Sequence, residues 1–207
     1  DSASQAVQID TLKNKDISDI KRLPNIRNAY GAAIGQEIVS YSQKTKSTMI
    51  FGADASRFDI DKGIIEKGRP FTEEENNSIA QVAVLGHDIA VEFFGENDPI
   101  GKMVRVGNLN FVVVGVYEVR GSGGFSNDDE QVFIPVTTLQ KKLLGIDHLF
   151  YGVVELIDKD KADVSALDVE ETLRSNHRIT DPLKDDFKVQ TQAENLSTFN
   201  TILSAIT

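Results

Sequence analysis

The first part of the chain changes from helical to strand-like spacing of its hydrophobic residues. Apolar positions three residues apart predict a short amphipathic helix over residues 14–23. Alternating and β-branched residues over 29–51 predict two strands, joined by a polar turn at 42–47. The mostly polar stretch 52–78 is expected to be a connection, with one capped helical turn at 72–75.

The middle of the chain is its most hydrophobic part, and short strands and helices are predicted there. The Gly107-Asn108 pair supplies the tight turn of a hairpin. Because the second hairpin strand is almost continuously apolar, we expect it to be covered on both faces. The predicted elements are a strand at 81–85, a helix at 87–94, hairpin strands at 102–106 and 111–119, a strand at 131–134 and a helix at 137–144 capped by Gly145.

The last part of the chain predicts a second α/β unit followed by a terminal helix. Val164, Leu167 and Leu173 are the apolar positions of its first helix, and we expect them to face inward. The elements are a strand at 149–157, a helix at 163–175, a strand at 187–191 and an amphipathic helix at 196–206. The chain begins at Asp1 and stops within that last helix, so we expect an excised piece of a longer protein.

Composition and charge narrow the classes of partner and chemistry. The 207 residues carry a formal net charge of -10 and include no cysteine. Nucleic acids and anionic lipids are held mainly by clustered Lys and Arg, so neither is expected as a partner. Without cysteine, disulfides and thiolate chemistry are excluded. No apolar run reaches the roughly 18–20 residues that a membrane helix requires.

The candidate catalytic and ligand-binding residues form no recognisable site. His87, His148 and His177 stand in no local hydrolase motif, and we expect each at a helix end or in a loop. The glycine-rich stretch 121–124 lacks the Gly-Lys-Ser/Thr of a phosphate loop. The acidic residues 128–130 lack the alternate spacing of a calcium loop, so we expect a solvated loop there. We therefore predict no catalytic residue, no cofactor and no metal.

Three groups of residues in the middle of the chain follow one another in a distinctive order. Together they resemble the MacB-like periplasmic core domain of permeases of the MacB, LolC/LolE and FtsX group. The similarity covers residues 52–145 by motif and extends to both ends by layout. The groups are Val82-Ala83-Val84-Leu85-Gly86 with Phe93-Phe94-Gly95 and Asp98-Pro99-Ile100-Gly101-Lys102; Val104-Arg105-Val106 with Phe111-Val112-Val113-Val114-Gly115-Val116; and Asp128-Asp129 with Val132-Phe133-Ile134-Pro135-Val136-Thr137-Thr138 and Gly145.

The resemblance implies an α+β fold in two parts. A porter-like α/β subdomain would be built from both chain ends, residues 1–56 and 147–207. A mixed α/β subdomain, residues 57–146, would be inserted into it. The motif residues would be architectural, with Gly86, Gly95 and Gly101 in turns that a side chain would block.

The resemblance also implies the extracytoplasmic domain of an ABC transporter permease in the inner membrane. A cytoplasmic ATPase domain or subunit would hydrolyse ATP, and membrane helices would transmit the motion to this domain. Its expected partners are an adaptor of the membrane-fusion type, an exported substrate, and a second copy or a homologous permease.

Two other classes of protein stay open at this stage. A secreted binding or adhesion module would also be an acidic domain without a site. An enzyme with an unrecognised carboxylate pair would need two acids that meet in a pocket with perturbed pKa values.

Overall fold

The computed structural model describes residues 10–121 and 127–194. Its contacts divide the chain into two compact units. The first unit comprises Asp1–Ala29 and Val154–Thr207, and the second comprises Tyr30–Val153. The boundaries expected from the sequence, at 56/57 and 146/147, both fall within the second unit. The assignment of a porter-like and an inserted subdomain stays a prediction.

Strands and short helices alternate along the described chain, which confirms the α+β class. The strands are β1 (Ile26–Tyr41), β2 (Lys44–Ala53), β3 (Ile65–Gly68), β4 (Val82–Leu85), β5 (Met103–Val106), β6 (Leu109–Tyr117), β7 (Val132–Pro135) and β8 (Tyr151–Leu156). The helices are α1 (Asn14–Ile20), α2 (Ser56–Ile60), α3 (Glu73–Asn77), α4 (His87–Phe94), α5 (Val136–Thr138, continued as a π-helix over Leu139–Leu144) and α6 (Ala162–His177).

The strands of the second unit form a ring of hydrogen-bonded neighbours. Their order is β2-β7-β4-β6-β5-β1, and β1 also pairs with β2, which closes the ring. The β2–β7 and β4–β6 pairs are parallel, whereas the other pairs in the ring are antiparallel. β3 pairs with β6 outside the ring. Closure satisfies backbone groups that an open sheet would leave exposed at its edges.

The strand register assigns one face of this ring to a fully buried core. Val39 lies opposite Val106, Leu85 opposite Val132, and Ile50 also opposite Val132. All of these side chains are completely buried. Burial of each aliphatic side chain contributes roughly 1.5–3 kcal/mol to the stability of the fold. Ile89 and Phe93 of α4 add further buried side chains.

The opposite face carries an aromatic cluster in one region and is open to solvent in another. The open region consists of Ile38, Met49, Met103 and Val112, which we call the open sheet face. Met103 and Val112 are direct cross-strand partners. The aromatic cluster contains Tyr30, Ala32, Phe51, Ala53, Phe58, Phe71, Val84, Tyr117 and Phe133. Cover on both faces of β6 is therefore a wrong expectation at Val112, whose side chain is 37% exposed.

In the first unit, Asn25 fastens the start of β1 to the end of β8 and to α6. Its side chain donates hydrogen bonds to Asp158 O at 2.9 Å and Ser165 Oγ at 2.8 Å. Its backbone O accepts a hydrogen bond from Ile157 N at 2.8 Å. Asn25 has φ 63, a left-handed conformation that asparagine tolerates better than most residues.

Several predicted elements are confirmed at their boundaries. α4 spans the predicted residues, and the hairpin of β5 and β6 turns at Gly107, which has φ 58. Thr72 caps α3 and accepts from Glu75 N at 3.2 Å, while the Glu75 carboxylate accepts from Thr72 N at 2.9 Å. This reciprocal pair is a capping box. Gly145 adopts the left-handed conformation at the predicted helix end.

Other predictions about the first half of the chain are wrong. The turn between β1 and β2 contains only residues 42–43, because cross-strand pairing continues to Tyr41 and Lys44. The expected connection over 52–78 contains α2 and β3 in addition to the predicted turn.

The predicted inner face of α6 is also wrong in part. Leu173 is buried as expected, but Val164 and Leu167 are each 61% exposed. The buried positions are instead Ser165, Val169 and Leu173, because the hydroxyl of Ser165 accepts the hydrogen bond from Asn25. Residues 187–191 form no strand, and the predicted helix at 196–206 lies outside the described residues.

Candidate functional site

The most extensive buried polar cluster of the second unit surrounds Arg57 in the first turn of α2. Its side chain is held between the rings of Phe51 and Phe133, and Cζ lies 4.4 Å from each ring centroid. Arg57 is only 5% exposed. A desolvated cation–π contact contributes about 2 kcal/mol, so this sandwich links β2, α2 and β7 strongly.

Two carboxylates and a second arginine complete the cluster. Arg57 Nε lies 2.9 Å from Asp61 Oδ2, and its Nη2 lies 3.5 Å from Asp128 Oδ2. Arg120 Nη1 donates to the same Asp128 oxygen at 2.8 Å. Tyr30 OH donates to Asp61 at 3.3 Å. Two positive and two negative charges therefore compensate one another around the one fully buried member, the Arg57 guanidinium.

The ring of Tyr117 packs on the apolar side of this cluster, and its hydroxyl group is part of the cluster. Arg57 Nη1 donates to Tyr117 OH at 3.4 Å. Burial raises the pKa of Tyr117 to about 12, so its hydroxyl stays neutral across the physiological range. Tyr117 thus acts in this cluster as a neutral hydrogen-bonding group and as packing surface.

Asp128 and Asp129 of the acidic run 128–130 are part of this cluster, so the expectation of a solvated loop is wrong for these two residues. Asp129 is 4% exposed, and its carboxylate accepts from Arg120 N at 2.8 Å and Gly121 N at 2.7 Å. Only Glu130 is exposed. The residues form a short 3₁₀ turn whose negative charge is neutralised by backbone N–H groups and by two arginines.

Gly86 lets this acidic turn approach the end of β4. A Cβ at Gly86 would lie 2.3 Å from Asp128 O and 2.5 Å from Asp129 O. Gly86 N donates to Gln131 O at 2.8 Å. Glycine is required here by close backbone approach rather than by the turn that the sequence suggested.

The three histidines lie apart, each at a helix end or in a loop as predicted. His87 begins α4 and contacts Glu66 at 3.5 Å. His148 precedes β8 and stacks on Phe150, with ring centroids 5.9 Å apart. His177 ends α6 and contacts two carboxylates. Over residues 10–121 and 127–194, no group of His, Asp and Glu has the arrangement of a metal site.

The remaining sequence candidates have structural roles or lie outside the description. Glu75 is part of the capping box at the N-terminus of α3, within the helical turn predicted at 72–75. Gly121 donates its N–H to Asp129, whereas residues 122–124 are not among the described residues. Within the described part of the chain, no helix is both long enough and apolar enough to cross a bilayer.

A family model described as the MacB-like periplasmic core domain matches residues 2–170. The chain belongs to this family. The match spans the closed ring of strands, the Arg57 cluster and most of α6. It therefore confirms the resemblance found in the motif residues.

Curated relatives of the family are export proteins that are much longer than this chain. The macrolide export ATP-binding/permease protein MacB of Chlorobaculum tepidum is 30% identical over 194 residues, which are 93% of this chain and 29% of that protein. The pyoverdine export ATP-binding/permease protein PvdT of Pseudomonas entomophila is 26% identical and is covered to 30%. The chain thus spans less than a third of the curated relatives it matches.

Two solved structures of transporter domains share the fold. The periplasmic region of MacB from Actinobacillus actinomycetemcomitans superposes with a TM-score of 0.79 at 22% identity, covering 93% of this chain and 84% of that one. The extracellular domain of the transporter YknZ from Gram-positive bacteria gives a TM-score of 0.74 at 20% identity, with coverages of 87% and 89%.

Sequence reasoning missed the Arg57 cluster. Arg57 and Asp61 are four residues apart, as in a helical ion pair, and this spacing was the only local signal. Tyr117, Asp128 and Phe133 come from positions 60 or more residues away, so no short motif contains the cluster.

The acidic turn yields a first prediction. Asp129→Asn should destabilise the protein by about 1–3 kcal/mol, because the amide replaces an acceptor-only group that receives two backbone N–H donors. Glu130→Gln is the matched control and should cost less than about 0.5 kcal/mol, since this side chain is exposed. Urea unfolding followed by circular dichroism measures both, and equal costs would contradict a buried Asp129.

Gly86 yields a second prediction. Gly86→Ala should cost about 2–4 kcal/mol, because the methyl group collides with backbone that cannot rotate away. Gly101→Ala is the matched control, because Gly101 has a left-handed backbone conformation but an added Cβ there meets open space. This variant tests backbone strain alone and should lower the free energy of unfolding by about 1 kcal/mol. If thermal and urea unfolding rank the two variants in the opposite order, the close approach at Gly86 is wrong.

Proposed function

We propose that the chain is the extracytoplasmic domain of an ABC transporter permease in the cell membrane, where it transmits ATP-driven motion to an adaptor protein and to exported substrate. The observation that carries this proposal is the family match over residues 2–170, together with relatives that are named as export ATP-binding/permease proteins. The domain has no catalytic role, and ATP is hydrolysed by a cytoplasmic domain or subunit.

Motion transmission requires a body that moves without deforming. The closed ring of strands and the buried Arg57 cluster support this requirement, because packed interiors resist small displacements. A ligand or partner that prefers one arrangement of such bodies shifts the population between arrangements. ATP binding in the cytoplasm and adaptor binding outside would then favour particular states of the same permease.

The proposed partners follow from the permease role. They are an adaptor of the membrane-fusion type, the cytoplasmic ATPase, and a second copy of the permease or a homologous subunit. Nucleic acid is excluded from the proposal because the chain is strongly acidic, with a formal net charge of -10. The porter-like and inserted subdomains would supply the surfaces for these partners.

ATP-driven motion is testable in the full-length permease, and this is the third prediction. These 207 residues contain no cysteine, so once any cysteines elsewhere in the permease are replaced, one spin label can be attached through Met103→Cys, an exposed position on β5. We expect the distance between the labels of two copies to change when ATP replaces ADP. Pulsed electron–electron double resonance spectroscopy measures this distance distribution for the permease in detergent or nanodiscs.

Two controls make this experiment decisive. Leu183→Cys provides a second, independent exposed label in the first unit. A permease that binds but cannot hydrolyse ATP separates the effect of binding from that of turnover. Identical distributions with ATP and ADP at both positions, in a preparation with ATPase activity, would overturn the transmission proposal.

A further inference from the structure

His177 makes two hydrogen-bonding contacts that the proposed function does not use. It is the last residue of α6, and its side chain is 8% exposed. Nε2 lies 3.1 Å from Asp16 Oδ2 of α1, and Nδ1 lies 2.7 Å from Asp186 Oδ1. The Phe187 ring packs edge-on against the imidazole, with centroids 5.9 Å apart. One imidazole therefore joins three parts of the first unit.

The number of protons on this ring decides whether both contacts can be hydrogen bonds. An ionised carboxylate only accepts, and a neutral imidazole has one N–H and one lone pair. Both contacts are favourable only when both ring nitrogens carry a proton and the ring is positively charged. In the neutral form, one carboxylate oxygen must face a lone pair.

The neighbouring charges leave this arrangement intact. On α6, Arg174 is bound by Asp185 at 2.7 Å and by Glu170 at 3.0 Å. On α1, Lys15 forms an ion pair with Asp19. His177 therefore supplies positive charge where Asp16 and Asp186 converge.

The electrostatic balance favours the charged ring. Burial opposes the charge, but the hydrogen bonds to Asp186 and Asp16 outweigh burial and raise the pKa of His177 above its ordinary value of 6.5. A raised pKa in the folded state means that the stabilisation is complete below the pKa of the unfolded chain. The stabilisation is lost as pH rises through the folded value.

The two carboxylates respond differently to loss of one proton. Asp16 is buried and is also held by Asn176 Nδ2 at 2.8 Å and by Lys13 N at 2.7 Å. The side chain of Asp186 is 33% exposed and lies in a segment without helix or strand. Water can therefore replace His177 as a partner of Asp186 more easily than as a partner of Asp16. When the imidazole loses one proton, the proton that remains stays on Nε2, which faces Asp16.

We propose that His177 is a pH-sensitive clasp that holds the Asp186 carboxylate and the Phe187 ring against the end of α6 in acid and releases them as pH rises. The neighbouring Arg174–Asp185 pair stays formed, so the opening is local and reversible. The clasp joins α1, α6 and residues 185–187 within the first unit. It does not depend on the transport function proposed above.

Nuclear magnetic resonance of the unmodified chain tests the clasp directly, and this is the fourth prediction. The chain has only three histidines, so ¹⁵N and ¹³C signals of labelled histidine can be assigned with the variant His177→Gln. We expect His177 to titrate above 6.5, and the Phe187 ring signals to move with the same midpoint. The ring nitrogen shifts should show the Nε2–H tautomer at high pH.

Variants separate the clasp from a passive contact. Asp186→Asn should move the midpoint of His177 down toward 6.5 and abolish the linked change at Phe187. Asp181→Asn, which removes a half-buried carboxylate that caps a nearby turn and has no recorded contact with His177, should leave the midpoint unchanged. A His177 titration midpoint at or below 6.5 in the unmodified chain would overturn the proposal. So would Phe187 signals that do not change with the same midpoint as His177.

Discussion

A charged guanidinium held between two aromatic rings is the constraint on which the second unit depends. Arg57 joins Phe51 of β2 and Phe133 of β7, while Asp61 and Asp128 supply the balancing charge. Arg57 is the fully buried member, so removal of Asp61 or Asp128 would leave a buried charge with one partner fewer and destabilise this unit. The network therefore specifies one arrangement of α2 and the acidic turn on the strands.

The ring of strands and this network reinforce each other. Ring closure fixes which strands are neighbours, and Gly86 allows the acidic turn to lie directly on the end of β4. Through Asp128, the turn then reaches Arg57 and Arg120. Ring closure, the close approach at Gly86 and the ion network therefore constrain the same part of the second unit.

The sequence predicted features that depend on neighbouring residues. Helix α4, the β5–β6 hairpin and the capping box of Thr72 follow from local spacing and turn chemistry. It failed where distant partners decide the outcome. Asp129 is buried because Arg120 and Gly121 satisfy its carboxylate, and Ser165 replaces the expected apolar residues on the inner face of α6 because Asn25 binds it. Family motifs identified the fold, but they contain neither Arg57 nor His177.

The central claim is that this domain belongs to a membrane permease and lies on the extracytoplasmic side of the membrane. Cysteine accessibility in the full-length protein tests this claim most directly. Leu183→Cys places a thiol at a position that is 94% exposed, and Val113→Cys provides a completely buried control. With a membrane-impermeant maleimide on intact spheroplasts, the account predicts labelling at 183 and none at 113, in protein that sediments with the membrane. Labelling at 183 only after the membrane is permeabilised, or recovery of the protein from the medium, would contradict it.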